Sequence, residues 1–155
     1  MKARRGSEPQ ALVRVLDANF NRAIEGCRVI EDTLRLSSRR PAQSQSEFFE
    51  LKTIRHRLSY LRARFGVRRL VKARCVAVDP GAYRKHREER RYRTHFAMLV
   101  ANLQRVKESL RVIEEVGRAV PASGRLFENA KRLRFRTYEL EEHLLGGGRA
   151  CPGQS

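Results

Sequence analysis

The sequence predicts an all-α protein, a duplicated helical hairpin forming a four-helix bundle with approximate two-fold internal symmetry. Three observations predict it. Leu, Ile, Val and Phe recur at spacings of three and four residues, the period of a helix with one buried stripe. Strong breakers gather at a few places only, around Ser37 to Pro41, Asp79-Pro80-Gly81, Pro121 and Gly146-Gly147-Gly148. One fifteen-residue stretch is written twice, ANFNRAIEGCRVIED from Ala18 to Asp32 and ANLQRVKESLRVIEE from Ala101 to Glu115.

The first helix opens near Ser7, where Ser7-Glu8-Pro9-Gln10 offers a cap, an early proline and a Gln three residues on, and it runs to about Leu36. At 100° per residue, Leu12, Leu16, Ala23, Cys27, Ile30 and Leu34 fall on one core-facing stripe. A second capping box, Ser44-Gln45-Ser46-Glu47, starts a helix carrying Phe48, Leu51, Ile54, Leu58 and Leu61 and ending near Gly66. Val67 to Tyr83, with its Asp79-Pro80-Gly81 turn signal, reads as a linker. A long third helix is expected from Arg84 to Ala119, and a fourth from Ser123 to Leu145.

The second and fourth helices also resemble each other. Phe49-Glu50 precedes Lys52-Thr53-Ile54-Arg55, and Phe127-Glu128 precedes Lys131-Arg132-Leu133-Arg134 with one residue inserted. The expected organisation is one helical domain over 1–148, with repeat one at 7–66, the linker at 67–83, repeat two at 84–145, and a flexible tail at 149–155.

Composition bounds the function. Of 155 residues, 41% are hydrophobic and 33% charged, a globular balance. The 34 Lys and Arg against 17 Asp and Glu give a formal charge of +17, so the partner sought is an anion. No apolar run reaches the length of a membrane span, and no apolar stretch follows the basic start, so a cytoplasmic protein is expected. Three scattered cysteines without metal-ligand spacing indicate neither a disulfide framework nor a zinc site. There is no GxxxxGK[ST] or GxGxxG phosphate loop.

The duplicated stretch keeps eight of fifteen positions, and five of those are polar: Asn19/Asn102, Arg22/Arg105, Glu25/Glu108, Arg28/Arg111 and Glu31/Glu114. The apolar positions vary in size, as a tolerant core allows. Asn19, Arg22 and Glu25 form a polar strip beside the seam, which either lines a groove or makes a ladder of surface ion pairs, Arg22 with Glu25, Glu25 with Arg28, and Arg28 with Asp32. A mid-helix Asn adds nothing to such a ladder, and this favours the groove. Lys52, Arg55 and His56, and Lys131 and Arg134, place cations on the partner helices. Asp79 beside Gly81 is a turn, or a carboxylate placed to hold Mg²⁺ near phosphate.

The pattern DANFNRAIEGCRVIED, LKTIRHRL, VANLQRVKESLRVIEE, RFRTYELEEHL resembles the small all-helical family of monofunctional hydroxymethylpyrimidine phosphate kinases of bacterial thiamine synthesis, over roughly Leu12 to Leu144. Members occur alone or fused to thiamine phosphate synthase. No synthase barrel follows in this chain, so the standalone form is implied, with thiamine phosphate synthase as a partner.

The resemblance implies phosphoryl transfer from ATP, with Mg²⁺, to hydroxymethylpyrimidine phosphate. An ionised phosphate acceptor needs charge neutralisation and alignment more than a strong base. On that reading Arg22, Arg105 and His56 are catalytic. Asn19, Arg28, Lys52, Arg55, Asn102, Arg111 and Arg134 bind substrate phosphates, and Glu25, Glu108 and Asp79 hold metal. The duplicated cations and amides would converge from both hairpins on one shared cleft.

The linker departs from the family. Where Arg-Asp and then Asp-Val-Gly are usual, Arg74 is followed by Cys75 and the later piece reads Asp79-Pro80-Gly81-Ala82, so one acid is missing. Two alternatives stand beside the kinase. One is a basic nucleic-acid-binding module built on Arg84-Lys85-His86-Arg87 and Arg90-Arg91-Tyr92-Arg93, and the other is a non-catalytic relative.

Overall fold

The structure is a computed structural model that describes residues 10–37, 45–79, 91–120 and 123–146. Its elements are α1 (Gln10–Ser37), α2 (Gln45–Phe65), α3 (Val67–Ala73), a 3-10 turn (Val76–Val78), α4 (His95–Ala119) and α5 (Leu126–Leu145), with no strand among the described residues. The all-α expectation holds.

Four long helices close a ring. α1 packs on α4 in the most extensive of the contacts, α4 also packs on α5, α5 on α2, and α2 on α1. Lys107 pairs with Glu141 while Glu114, farther along α4, pairs with Arg134, farther back along α5, so these two run antiparallel. The start of α2 lies beside the end of α5, where Glu50 meets Arg136, and the end of α2 lies beside the start of α5, where Tyr60 and Phe65 share a cavity with Leu126. Because α1 and α2 form a hairpin, neighbours alternate in direction around the whole ring.

The buried set explains the ring. Leu16, Phe20, Ala23, Cys27 and Ile30 of α1, and Leu103, Val106, Leu110 and Ile113 of α4, are fully buried. On α2 the buried residues Leu51, Ile54, Leu58 and Leu61 match Ala130, Leu133, Thr137 and Leu140 of α5 at identical spacing. No insertion separates these helices, because one extra residue would rotate every later side chain by about 100° off the core. Of the expected α1 stripe only Leu12 is half-buried, and Val13 joins the core in its place.

Three boundaries differ from expectation. The linker contains α3, because Leu70 and Ala73 are apolar at helical spacing and bury against the bundle. Gly66, at φ 109, supplies the break that separates it from α2. α4 begins at His95, since Thr94 is extended and accepts a hydrogen bond from the Ala97 N–H, an N-cap that ends the helix there. α5 begins at Leu126: the Ser123 hydroxyl donates back to the Gly117 carbonyl of α4 and so does not cap α5. The Ser7 and Ser44 caps, Pro80-Gly81, Cys151, the tail and most of the basic run at 84–93 lie outside the described residues.

Candidate functional site

The repeated letters divide into two sets once the side chains are placed. The first set is structural. Glu31 and Glu114 are buried, 2% and 0% exposed, although each is a carboxylate in a helix. Arg55 of α2 donates to Glu31 through Nε and Nη2, at 2.5 and 3.3 Å. Arg134 of α5 donates to Glu114 through Nε and Nη2, at 3.2 and 2.9 Å. Each hairpin is thus closed by the same two-point arginine clamp, which satisfies a carboxylate that water cannot reach. Arg118 and Arg111 add 2.8 and 3.4 Å contacts to Glu114, and Arg28 stands 3.7 Å from Glu31.

These contacts relocate several residues expected at phosphates. Arg55 and Arg134 hold carboxylates within the bundle. Arg28 and Arg111 are exposed and also pair with Asp32 and Glu115 one turn on, so that part of the ion-pair ladder is real. The Arg134 guanidinium is desolvated, which lowers its pKa. Its hydrogen bonds to Tyr138 and Glu114, with the charge of Glu114, outweigh that and leave the pKa raised. Burial, with the charge of Glu31 next, pushes the Cys27 thiol up to about 12. That makes it an inert core group.

Sequence reasoning passed over Glu31 and Glu114 as functional positions. The signal was present: Glu31 falls four residues after Cys27 and three before Leu34, on the apolar face.

The second set lies on α1. Asn19 is buried and donates from its amide to the Val15 carbonyl at 2.8 Å, the bond that Asn102 makes to Met98 in α4. Beside Asn19 opens a cleft of about 820 Å³ between the first half of α1 and the segment 74–79. Arg14, Asn19, Arg22, Arg74, Cys75 and Asp79 contribute to its polar lining, and Val15, Ala18 and Val76 to its apolar part. Arg74 carries that segment to the helix by donating through Nε and Nη2 to Asp17, the latter at 3.0 Å. This hydrogen bond raises the Arg74 pKa, so the latch stays charged. Asp17 is buried, and its counterpart in the second repeat is Val100, so the latch is absent there.

The expected convergence on one shared cleft does not occur. α1 and α4 run in opposite directions and Asn102 lies against Gly26, about two turns along α1 from Asn19. Arg105 donates to the Asn102 side-chain Oδ1 at 3.3 Å, away from the cleft. Glu108 accepts from Gln104 at 2.8 Å, and Glu25 is exposed outside the cleft lining. The three carboxylates expected to hold metal are not assembled, and no group of three or more His, Cys, Asp or Glu suited to a metal exists among the described residues. Lys52, Lys131 and His56 are exposed, with His56 Nε2 3.2 Å from Arg55 Nη2. No helix among the described residues is long and apolar enough to cross a membrane.

Comparison with known proteins then bears on function. The chain is 44% identical over 138 residues to a thiamine-phosphate synthase of Thermosynechococcus vestitus, covering 89% of this chain and 36% of that protein. It is 40% identical over 143 residues to one of Synechocystis, and 37% over 140 residues to one of Gloeobacter violaceus, each time covering 90% of this chain and 38% of the relative. The chain therefore spans little more than a third of the curated relatives it matches. No solved structure matches it.

These relatives are named as synthases of thiamine phosphate and not as hydroxymethylpyrimidine phosphate kinases, which overturns the activity expected from the resemblance. The ThiD2 pattern matches residues 14–143, and the chain belongs to that family, a helical domain tied to thiamine biosynthesis.

Proposed function

We propose that this domain serves the formation of thiamine phosphate by holding a small phosphorylated ligand in the α1 cleft, in company with a thiamine-phosphate synthase. One observation carries the reading. Arg14 and Arg22 line the cleft beside Asn19, and neither has an ion-pair partner among the described residues. Arg28 and Arg55, the repeated arginines of the first hairpin besides Arg22, are each engaged with a carboxylate. Two free guanidiniums over a small-molecule-sized concavity suit a phosphate, which they grip with charge-assisted, bidentate bonds. Val15, Ala18 and Val76 give the uncharged part of the ligand an apolar wall. Charge neutralisation comes from the side chains themselves, so the reading invokes neither ATP nor Mg²⁺. The relatives' names support the ligand class, and their greater length supports the partner.

The test is calorimetric titration with thiamine phosphate and with unphosphorylated thiamine. Thiamine phosphate should bind at least about tenfold more tightly, and Arg14→Ala with Arg22→Ala should remove that advantage, since a hydrogen bond to a charged group contributes roughly 1.5–3 kcal/mol. Equal binding of the two compounds, or an advantage that survives both substitutions, would sink the reading.

A further inference from the structure

We propose a second anion site, specific for a small multivalent phosphate such as diphosphate, in the cavity between the end of α2 and the start of α5. The cavity is about 470 Å³ and is set apart from the α1 cleft, with no lining residue in common. Its walls carry three arginines, Arg57, Arg64 and Arg125, and no carboxylate. Leu61 and Leu126, 7% and 4% exposed, form an apolar floor.

Two other side-chain donors around it are already committed. The Asn129 amide donates to the Arg125 carbonyl at 2.8 Å, and the Ser123 hydroxyl donates to the Gly117 carbonyl. The guanidiniums are not committed. Arg64 has no hydrogen-bond or ion-pair partner among the described residues, and Arg57 has only the Tyr60 ring, 5.1 Å from its guanidinium carbon to the ring centre. Arg125 meets Glu128 at 3.0 Å, but its side chain is 81% exposed, so that pair is weak and easily exchanged.

The other end of the same α2–α5 seam shows the contrast. There the cavity mixes Glu47, Glu50 and Glu139 with Arg136 and His143, and Arg136 pairs with Glu50 at 2.6 Å. One seam thus has an end of mixed charge with an internal ion pair and an end that carries only cations. Like charges in a concavity repel, and a bound polyanion removes that repulsion while satisfying the planar donors. Arg57 and Arg64, two turns apart on one helix, flank the opening together with Arg125 from the other, a spread that fits two phosphoryl groups better than one.

The experiment is an amide-resolved NMR titration of the whole chain with inorganic diphosphate, with inorganic phosphate in parallel. The Gly124 backbone amide and the Asn129 side-chain amide should shift and saturate, with diphosphate at least tenfold tighter than phosphate. Arg57→Lys with Arg64→Lys keeps charge but loses the fork, and Arg57→Ala with Arg64→Ala loses both. The first pair should weaken binding several-fold and the second at least tenfold, whereas Arg132→Ala, an exposed arginine outside the cavity, should change nothing. The same titration with Arg14→Ala and Arg22→Ala separates this site from the α1 cleft, because the Gly124 and Asn129 shifts should persist there. Shifts confined to the surroundings of Asn19, or spread over exposed arginines and equally reduced by Arg132→Ala, would overturn the proposal.

Discussion

A buried glutamate in a helix is unfavourable unless each oxygen finds a donor: Arg55 reaches both oxygens of Glu31, while Arg134 gives both its donors to Glu114 Oε2 and Arg118 and Arg111 serve Oε1. Removing Arg134 leaves Glu114 Oε2 without its donors in a place water cannot reach. Arg134→Leu should lower the free energy of unfolding by about 3 kcal/mol, while Glu114→Leu with Arg134→Leu should recover much of it, as measured by urea denaturation. Recovery is incomplete because Arg111 and Arg118 also point at Glu114. If the single and double variants are equally unstable, the clamp is not an interacting pair. The repeated Glu was visible in the sequence, but its burial was hidden because charged residues so seldom occupy a core stripe that the pattern reads as surface.

At the scale of elements, short segments decide where the cleft forms. Gly66, at φ 109, ends α2 and turns the chain into α3, whose Leu70 and Ala73 pack inward and deliver Arg74 to Asp17. A Cβ at Gly66 meets no close atom beyond Arg69 Cβ at 3.6 Å, so the obstacle to substitution is the backbone conformation and not space. Gly66→Ala should therefore cost about 1 kcal/mol or more in urea denaturation. A neutral or stabilising result would mean that the turn is made differently. The helices were legible from their apolar period, and α3 was not, since seven residues give too few turns to show one. The repeats also diverge here. Lys107 and Glu141 cross-link the second hairpin at 2.6 Å, where the first has Ile24 and Arg62.

For the whole molecule the controlling quantity is the formal charge of +17. Like charge destabilises a compact chain, and salt screens exposed charges more than buried pairs such as Arg55–Glu31. The melting temperature should accordingly rise by about 3–5 °C between low and moderate sodium chloride. A fall would show that exposed ion pairs outweigh repulsion. The sequence by itself determined the all-α class, the doubling of the hairpin and the composition of the core, because a helix repeats its contacts at a period that can be counted along the chain. Only the tertiary structure decided that the two repeats run head to tail, so that Asn19 and Asn102 part company, that Arg55 and Arg134 serve buried carboxylates, and that Arg14 and Arg22 face a cleft unpaired. Those outcomes depend on which residues from distant segments meet, and spacing along one helix carries no record of its neighbours' direction.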